Sequence, residues 1–409
     1  MNDFDIQKIR QDFPFFAAHP ELVYLDSSAT SQRLASSVRA AVNFYENQNA
    51  SPFRGLYELS VKATEAYEEA RQTVADFIHA KEAAEIVFTR NASESLNLLA
   101  YSLTQCVVSE GDEILVGITE HHSNMLPWRD AAKRLGAKVV YWECDQEGYF
   151  SPESLKQALT PRTKILAITQ MSNIFGRVND IKTYAAIAHE NGTLIVADGA
   201  QSVPHMAVNV QDLDTDFLVF SGHKMLAPMG IGVLYGKKAL FEQMPPFLSG
   251  GEMIDYVTRD RVIYAEVPHK FEAGTVNAGG AIALAEAIRY YNELGFETIE
   301  NREAALTHYM AEKIMALPHF TVIGSQKPEE HNGIVTFKID GVHPHDISEI
   351  LSGEGIAIRA GHHCAEPLHQ FLGVPSSTRA SLMFYNTTEE IDRLVEVLRT
   401  VRKVMGYGE

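Results

Sequence analysis

The sequence predicts an α/β fold: a mostly parallel central sheet in a large domain, followed by a smaller α+β domain. Three observations carry that expectation. Seven short apolar runs lie at 85–89, 113–117, 138–142, 164–169, 194–198, 217–220 and 232–236. Their apolarity is nearly continuous rather than alternating, as expected of strands covered on both faces. Helical patterns separate several of them, which is the signature of βαβ units and a parallel sheet.

Taken in order, the chain opens with an amphipathic pattern, Ile6, Ile9 and Phe13, stopped by Pro14 and expected to pack on a later part of the chain. Among the runs, helices are expected over 125–135, over 151–159 with Ser151 as N-cap and Pro152 at the first helical position, and over 181–190. Beyond about Ala285 the texture changes. One continuous helical region is expected over 281–315, then strands at 320–324 and 333–339. A final helix begins near Thr388, where Thr387 and Glu390 form a capping box and Ile391, Leu394, Val395, Leu398 and Val401 form one stripe. These patterns divide the chain into a large domain over 23–286 and a small one made of 1–22 plus 287–409.

The 409 residues carry a formal charge of −18, are 45% hydrophobic and are 22% charged. An ordinary globular protein fits these values. Nucleic-acid binding and docking on an anionic membrane both need a basic footprint, and the charge argues against each. The first residues are acidic without an apolar core, and no run reaches the ~18–20 residues of a membrane span. A cytoplasmic protein is the expectation. Cys106, Cys144 and Cys364 show no C-x-x-C spacing, which offers neither a disulfide framework nor a zinc site, so no metal is expected. Cys106 and Cys144 read as core thiols.

Two strand ends carry the chemistry. The run at 217–220 ends in Ser221, Gly222, His223 and Lys224, and the run at 194–198 ends in Asp198, 26 residues upstream of that lysine. Ligands of open α/β sheets sit beyond the carboxyl ends of the strands. A lysine there is either solvated at the rim or used covalently, and pyridoxal phosphate chemistry uses it in the second way, with an acid opposite the ring nitrogen. Asn91-Ala92-Ser93 follows the run at 85–89, so Ala92 and Ser93 N–H groups are candidates for a phosphate cup; an ordinary helix N-cap is the competing reading. His121, after the run at 113–117, is placed to stack on a pyridine ring and to exchange protons near neutral pH, or else is a structural histidine. Gln201 is a candidate for the phenolic oxygen of the cofactor, or a polar cap in the turn.

A second stretch is Arg359-Ala-Gly-His-His-Cys364-Ala-Glu-Pro367. Gly361 and Pro367 mark a loop, which makes Cys364 an exposed thiol whose thiolate fraction the flanking His362 and His363 are expected to raise. A His-His-Cys zinc site competes, but adjacent ligands diverge and no fourth ligand has suitable spacing. Arg379 has the fork geometry that suits an amino-acid carboxylate; a surface salt bridge is its alternative.

At these positions the sequence resembles the cysteine desulfurase and selenocysteine lyase family, specifically its SufS-like group, in the aspartate-aminotransferase-like fold type I of pyridoxal phosphate enzymes. The resemblance rests on Tyr24-Leu-Asp-Ser-Ser-Ala-Thr, Thr119-Glu-His-His-Ser-Asn, Ala197-Asp-Gly-Ala-Gln, Ser221-Gly-His-Lys, Phe271-Glu-Ala-Gly-Thr, Arg359-Ala-Gly-His-His-Cys and Arg379-Ala-Ser, in family order over almost the whole chain. It implies that Lys224 holds the cofactor as a Schiff base and acts as acid and base at Cα, that Asp198 keeps the ring nitrogen protonated, and that His121 stacks on the ring. Phosphate binding is implied for Ala92, Ser93, Ser221 and His223, with Thr275 reaching in from the other subunit of a homodimer. Gln201 and Asn173 match positions near the phenolic oxygen, Arg379 matches the carboxylate clamp with Arg359 beside it at the substrate, and Cys364 matches the nucleophile that takes sulfur as a persulfide.

The implied reaction converts L-cysteine to L-alanine, with sulfur passed to an acceptor protein of the SufE or SufU type for iron–sulfur cluster assembly or another transfer route. Release of selenium from L-selenocysteine is the alternative activity. Two positions depart from the group: Phe53 stands where a His usually precedes Arg-Gly, and Ala92 stands where a Thr is common.

Overall fold

A computed structural model describes residues 5–407. All seven expected strands join one sheet, in the order Ile86–Thr89, Gly232–Gly236, Phe217–Ser221, Leu194–Asp198, Thr163–Thr169, Glu113–Gly117, Lys138–Trp142. Gly232–Gly236 pairs antiparallel with both neighbours, while the other pairings are parallel. Near-continuous apolarity has a direct cause here. Leu218 and Phe220 enter the core on one face of the sheet, and Phe217 and Val219 enter the core on the other. Ile195 with Ala197 and Val196 divide in the same way. Each fully buried Leu or Phe contributes about 1.5–3 kcal/mol, so both faces hold the central strands in place.

The C-terminal part builds a four-stranded antiparallel sheet, Phe320–Val322, Ile334–Ile339, Ser377–Ser381, Arg359–Gly361. It packs on its own core, to which Ile391, Leu394, Val395, Leu398 and Val401 all contribute. Thr387 and Glu390 form the capping box at the start of the Thr388–Leu398 helix. Residues 23–24 pair in parallel with Ile356–Ala357, tying the early chain to this second core.

Four local expectations are corrected. Pro14 does not only stop a helix: Ile6–Gln11 ends before it and a second helix, Pro14–Ala18, starts on it, because a residue lacking an N–H fits a first helical position. Phe13 between them is fully buried against Tyr290, Phe384 and Tyr385. The region 281–315 is two helices, Ala278–Leu294 and Phe296–Met315, broken where Gly295 takes φ 76°. Val401 lies in a separate short helix, Val401–Val404. Cys106 is exposed, on the outer side of the Thr104–Val107 helix, and only Cys144 is a core thiol.

The sequence pattern did not predict a hairpin, Ile254–Val257 with Val262–Tyr264, whose Tyr256, Val257, Val262 and Tyr264 are exposed. Near its base a buried ion pair anchors the segment that carries Thr275. Arg71 Nη1 and Nη2 donate to Glu272 Oε1 and Oε2 at 2.6 and 2.8 Å, the Tyr67 hydroxyl donates to Oε2 at 2.9 Å, and Phe88 N–H donates to Oε1 at 2.7 Å. Removing one partner of a buried pair leaves an uncompensated charge. Glu272→Ala is therefore expected to lower unfolding free energy by about 3–5 kcal/mol, measured by denaturant titration.

Candidate active site

A cavity of about 420 Å³ opens beyond the carboxyl ends of the strands, and Lys224, Asp198, His121, Gln201, Asn173, Arg379 and Cys364 all line it. Lys224 reaches it through a tight turn: a Cβ on Gly222 would stand 2.7 Å from Ile231 Cγ2 and 3.1 Å from the Ile231 carbonyl, so only glycine fits where the strand ends. Burial lowers the Lys224 amine to about 8, with Asp198 opposing that shift and Arg379 adding to it. Asp198 Oδ1 accepts from Ala200 N–H at 2.9 Å. Burial raises the Asp198 carboxyl, and this bond and the nearby Lys224 charge pull it back.

Of the two competing readings of residues 91–93, the helix N-cap is present. Asn91 Oδ1 caps the Ala92–Ser102 helix by accepting from Glu94 N–H at 3.0 Å, while Ala92 and Ser93 line the cavity. Ala92 N–H donates to Ser221 Oγ at 2.9 Å, and the Ser93 and Ser123 hydroxyls lie 2.6 Å apart. His223 also faces the cavity; its Nδ1 is 3.2 Å from Thr30 Oγ1, and burial pushes its imidazole down to about 4.

His121 differs from expectation in one respect. Burial, followed by the Lys224 charge, pushes its imidazole down to about 3, so it does not exchange protons near neutral pH. Ser123 N–H donates to Nδ1 at 3.1 Å, which puts the proton of the neutral ring on Nε2. It lies at the cavity as a neutral ring.

The substrate end is built by groups from distant parts of the chain. Arg379 is 3% exposed, which removes the surface salt-bridge reading. Its Nη1 donates to the Asn173 carbonyl at 3.0 Å, Nη2 lies 3.5 Å from Asp26 Oδ1, and Nε is buried without an acceptor. Burial pushes its guanidinium down to about 10, with Asp26 opposing. Arg359, half exposed, donates to both Asp26 carboxylate oxygens, at 2.8 to 3.2 Å. Gln201 Nε2 donates to the Ser28 carbonyl at 2.9 Å, leaving Oε1 buried without a partner. Asp26, Ser28, Ser123 and Thr169 are site residues that pattern reading missed. The Tyr24-Leu-Asp-Ser-Ser motif was the available signal for the first two.

Cys364 is exposed and sits between the Arg359–Gly361 strand and the Glu366–Leu372 helix. His363 and Cys364 take φ 51° and 57°, a left-handed conformation that costs about 1–2 kcal/mol per non-glycine residue. The neighbouring imidazoles each have a hydrogen-bond partner in the 375–377 segment. His362 Nε2 meets the Pro375 carbonyl at 2.8 Å; His363 Nε2 meets the Ser377 hydroxyl at 3.1 Å, and burial pushes that ring down to about 2. Lys224, Arg359 and Arg379 line the same cavity as Cys364. Among the described residues no group of three or more His, Cys, Asp or Glu could hold a metal ion. Thr275 lines a different cavity, of about 400 Å³, beside Tyr67, Phe88 and Phe271.

A family model described as aminotransferase class-V matches residues 23–394. A relative from Halalkalibacterium halodurans named a probable cysteine desulfurase is 43% identical over 407 residues, covering 100% of both chains. One of the same name from a Synechocystis species is 44% identical over 400 residues, covering 96% of this chain and 95% of its own. The chain belongs to the cysteine desulfurases of the class-V aminotransferase family. Solved desulfurases agree in fold. That of Thermococcus onnurineus NA1, an apo structure, superposes with a TM-score of 0.93 at 39% identity, covering 97% of this chain and 98% of its own. The Escherichia coli desulfurase CsdA, in an S-sulfonic acid form, gives 0.91 at 36% identity, covering 98% and 100%.

The cavity of this desulfurase chain fits pyridoxal phosphate on its own chemistry. It presents an amine of lowered basicity, a buried carboxyl, a helix start lined with hydroxyls, and buried polar atoms without partners at Gln201 and Arg379.

Proposed function

We propose that this chain is a pyridoxal phosphate-dependent cysteine desulfurase that converts L-cysteine to L-alanine and receives the sulfur on Cys364 as a persulfide. The observation that carries this reading is that Lys224, Arg379 and Cys364 line one cavity. An aminotransferase has no use for the thiol. The names carried by the relatives favour cysteine over selenocysteine as the substrate.

When bound, pyridoxal phosphate supplies an aldehyde carbon that an amine can join and a ring that draws electrons from the substrate Cα. Lys224 holds it covalently. Asp198 would hold the ring nitrogen, whose positive charge would offset the penalty that burial imposes on the carboxylate. His121 would offer a neutral aromatic face, and Ala92, Ser93, Ser221 and His223 would hold the phosphate. Gln201 and Asn173 serve the phenolic side.

Arg379 takes the substrate carboxylate, with Arg359 beside it. The Lys224 amine, lowered to about 8, removes the Cα proton as a neutral base and later returns one. The Cys364 thiolate then attacks the substrate sulfur: a sulfur–sulfur bond forms, the Cβ–sulfur bond breaks with its electron pair going to carbon, and a proton completes alanine. Arg379→Ala is expected to raise the KM for L-cysteine about 10- to 100-fold, the equivalent of one or two charge-assisted hydrogen bonds, with a smaller effect on kcat. Steady-state kinetics check this.

A homodimer follows from the same reading. Thr275 lies away from this chain's own cavity, and the 254–264 hairpin exposes Tyr256, Val257, Val262 and Tyr264, an apolar edge suited to a second copy. An acceptor protein of the SufE or SufU type would meet the exposed Cys364 and take its sulfur. We divide the chain into a cofactor-binding part, 23–286, and a part made of 1–22 plus 287–409 that carries the Cys364 loop. Among the described residues no helix is long and apolar enough to cross a membrane. Incubation of the holoenzyme with L-cysteine and a thiol reductant should yield alanine and sulfide in equal amounts; formation of pyruvate or a 2-oxo acid instead would overturn the assignment.

A further inference from the structure

We propose that His122 is a positioning residue that clamps the Cys364 loop and sets the thiol's place for sulfur attack. The catalytic part of this inference rests on the desulfurase reading above; the clamp itself does not. His122 follows the ring-facing His121 and opens the short turn His122–Asn124. Its backbone N–H donates to the Cys364 carbonyl at 2.7 Å. Its ring Nε2 accepts from Glu366 N–H at 3.2 Å. One residue therefore holds the chain immediately before and after Ala365, from the turn that follows the Glu113–Gly117 strand.

The loop needs such a hold. His363 and Cys364 are both left-handed and neither is glycine, a conformation that persists only where surrounding contacts determine it. Asn173 Nδ2 donates to the His363 carbonyl at 2.8 Å, and Ala365 N–H donates to the His362 carbonyl at 2.9 Å. Of the bonds that reach the loop from the large sheet's edge, the His122 ring bond is the one made by a group that titrates. Glu366 N–H is the donor, so Nε2 must carry its lone pair; the proton of the neutral ring sits on Nδ1.

Protonation of the ring removes the acceptor and opens that half of the clamp. The groups that face His122 are Glu366 and His362 on the loop side and His121, whose ring centroid is 6.4 Å away. Burial lowers the basicity of His122, Glu366 opposes this and His362 adds to it. The neutral, clamping form is therefore favoured at neutral pH and is lost as the pH falls through the lowered value.

Two variants separate this role from simple folding. Gln at position 122 extends a carbonyl oxygen toward the place of Nε2 and cannot protonate, whereas Ala has no acceptor. Hydrogen exchange of the holoenzyme, read on the peptide containing Glu366, should be at least 10-fold faster in His122→Ala than in wild type and near wild type in His122→Gln. The rate of Cys364 persulfide formation should fall about 10-fold or more in His122→Ala, with the KM for L-cysteine within about threefold. His122→Gln should retain most of the rate, and its rate relative to wild type at the same pH should rise as the pH falls. Unchanged exchange at Glu366 in His122→Ala overturns the clamp. Faster exchange with an unchanged persulfide rate overturns its role in positioning. Absence of persulfide in the wild type overturns the desulfurase reading instead, and leaves the exchange result to judge the clamp alone.

Discussion

Replacing Lys224 with alanine is expected to reduce alanine formation from L-cysteine by about 10⁴-fold or more, because the proposed reaction uses the residue as covalent anchor and as general base and acid. The variant should also lose the visible absorption of bound cofactor. Its cavity neighbours make this effect specific. Asp198 lies on the neighbouring strand end and both face the same space, so an alanine there removes the amine without disturbing the sheet. The lowered basicity gives a pH signature. At pH 7 roughly one tenth of an amine titrating near 8 is neutral, against about one in three thousand for an ordinary lysine. Only the neutral amine condenses with an aldehyde. Uptake of pyridoxal phosphate by the apoprotein should therefore accelerate with pH and level off above about 8, when followed by absorbance. A rise continuing through pH 10 would mean that burial does not act on Lys224 as described.

Replacing Cys364 with serine should lower desulfuration by at least about 10³-fold while leaving cofactor absorption and L-cysteine binding near wild type. The separation follows from placement. Cys364 belongs to the loop beside the small antiparallel sheet, whereas Lys224 and Asp198 belong to the large one. Loss of the thiol therefore leaves the anchor and its neighbours intact. Lys224, Arg359 and Arg379 line the same cavity as the thiol, and serine, a far weaker acid than cysteine, offers no comparable anionic nucleophile there.

Why some of this was legible in the sequence and some was not has a physical explanation. Strands covered on both faces are apolar at nearly every position, so the central runs announced themselves, and a charged residue at the end of such a run marks the edge where ligands sit. Asp198 and Lys224 were readable for that reason. The left-handed backbone at His363 and Cys364 was not legible, because neither residue is a glycine that would signal it. Asp26 escaped because it reaches the site from more than 330 residues before Arg359. The hairpin at 254–264 escaped because its apolar side chains are largely exposed and belong to none of the three buried cores among the described residues. The break at Gly295 carried its signal openly, and a helical pattern on both sides concealed it.

The central claim is that Cys364 receives the sulfur of L-cysteine. Brief exposure of the holoenzyme to L-cysteine, followed by alkylation, proteolysis and mass spectrometry, tests it most directly. The account predicts one added sulfur atom on the peptide containing Cys364 and none on those containing Cys106 or Cys144. Added sulfur on another cysteine, or alanine formation with Cys364 unmodified at every time point, would contradict it.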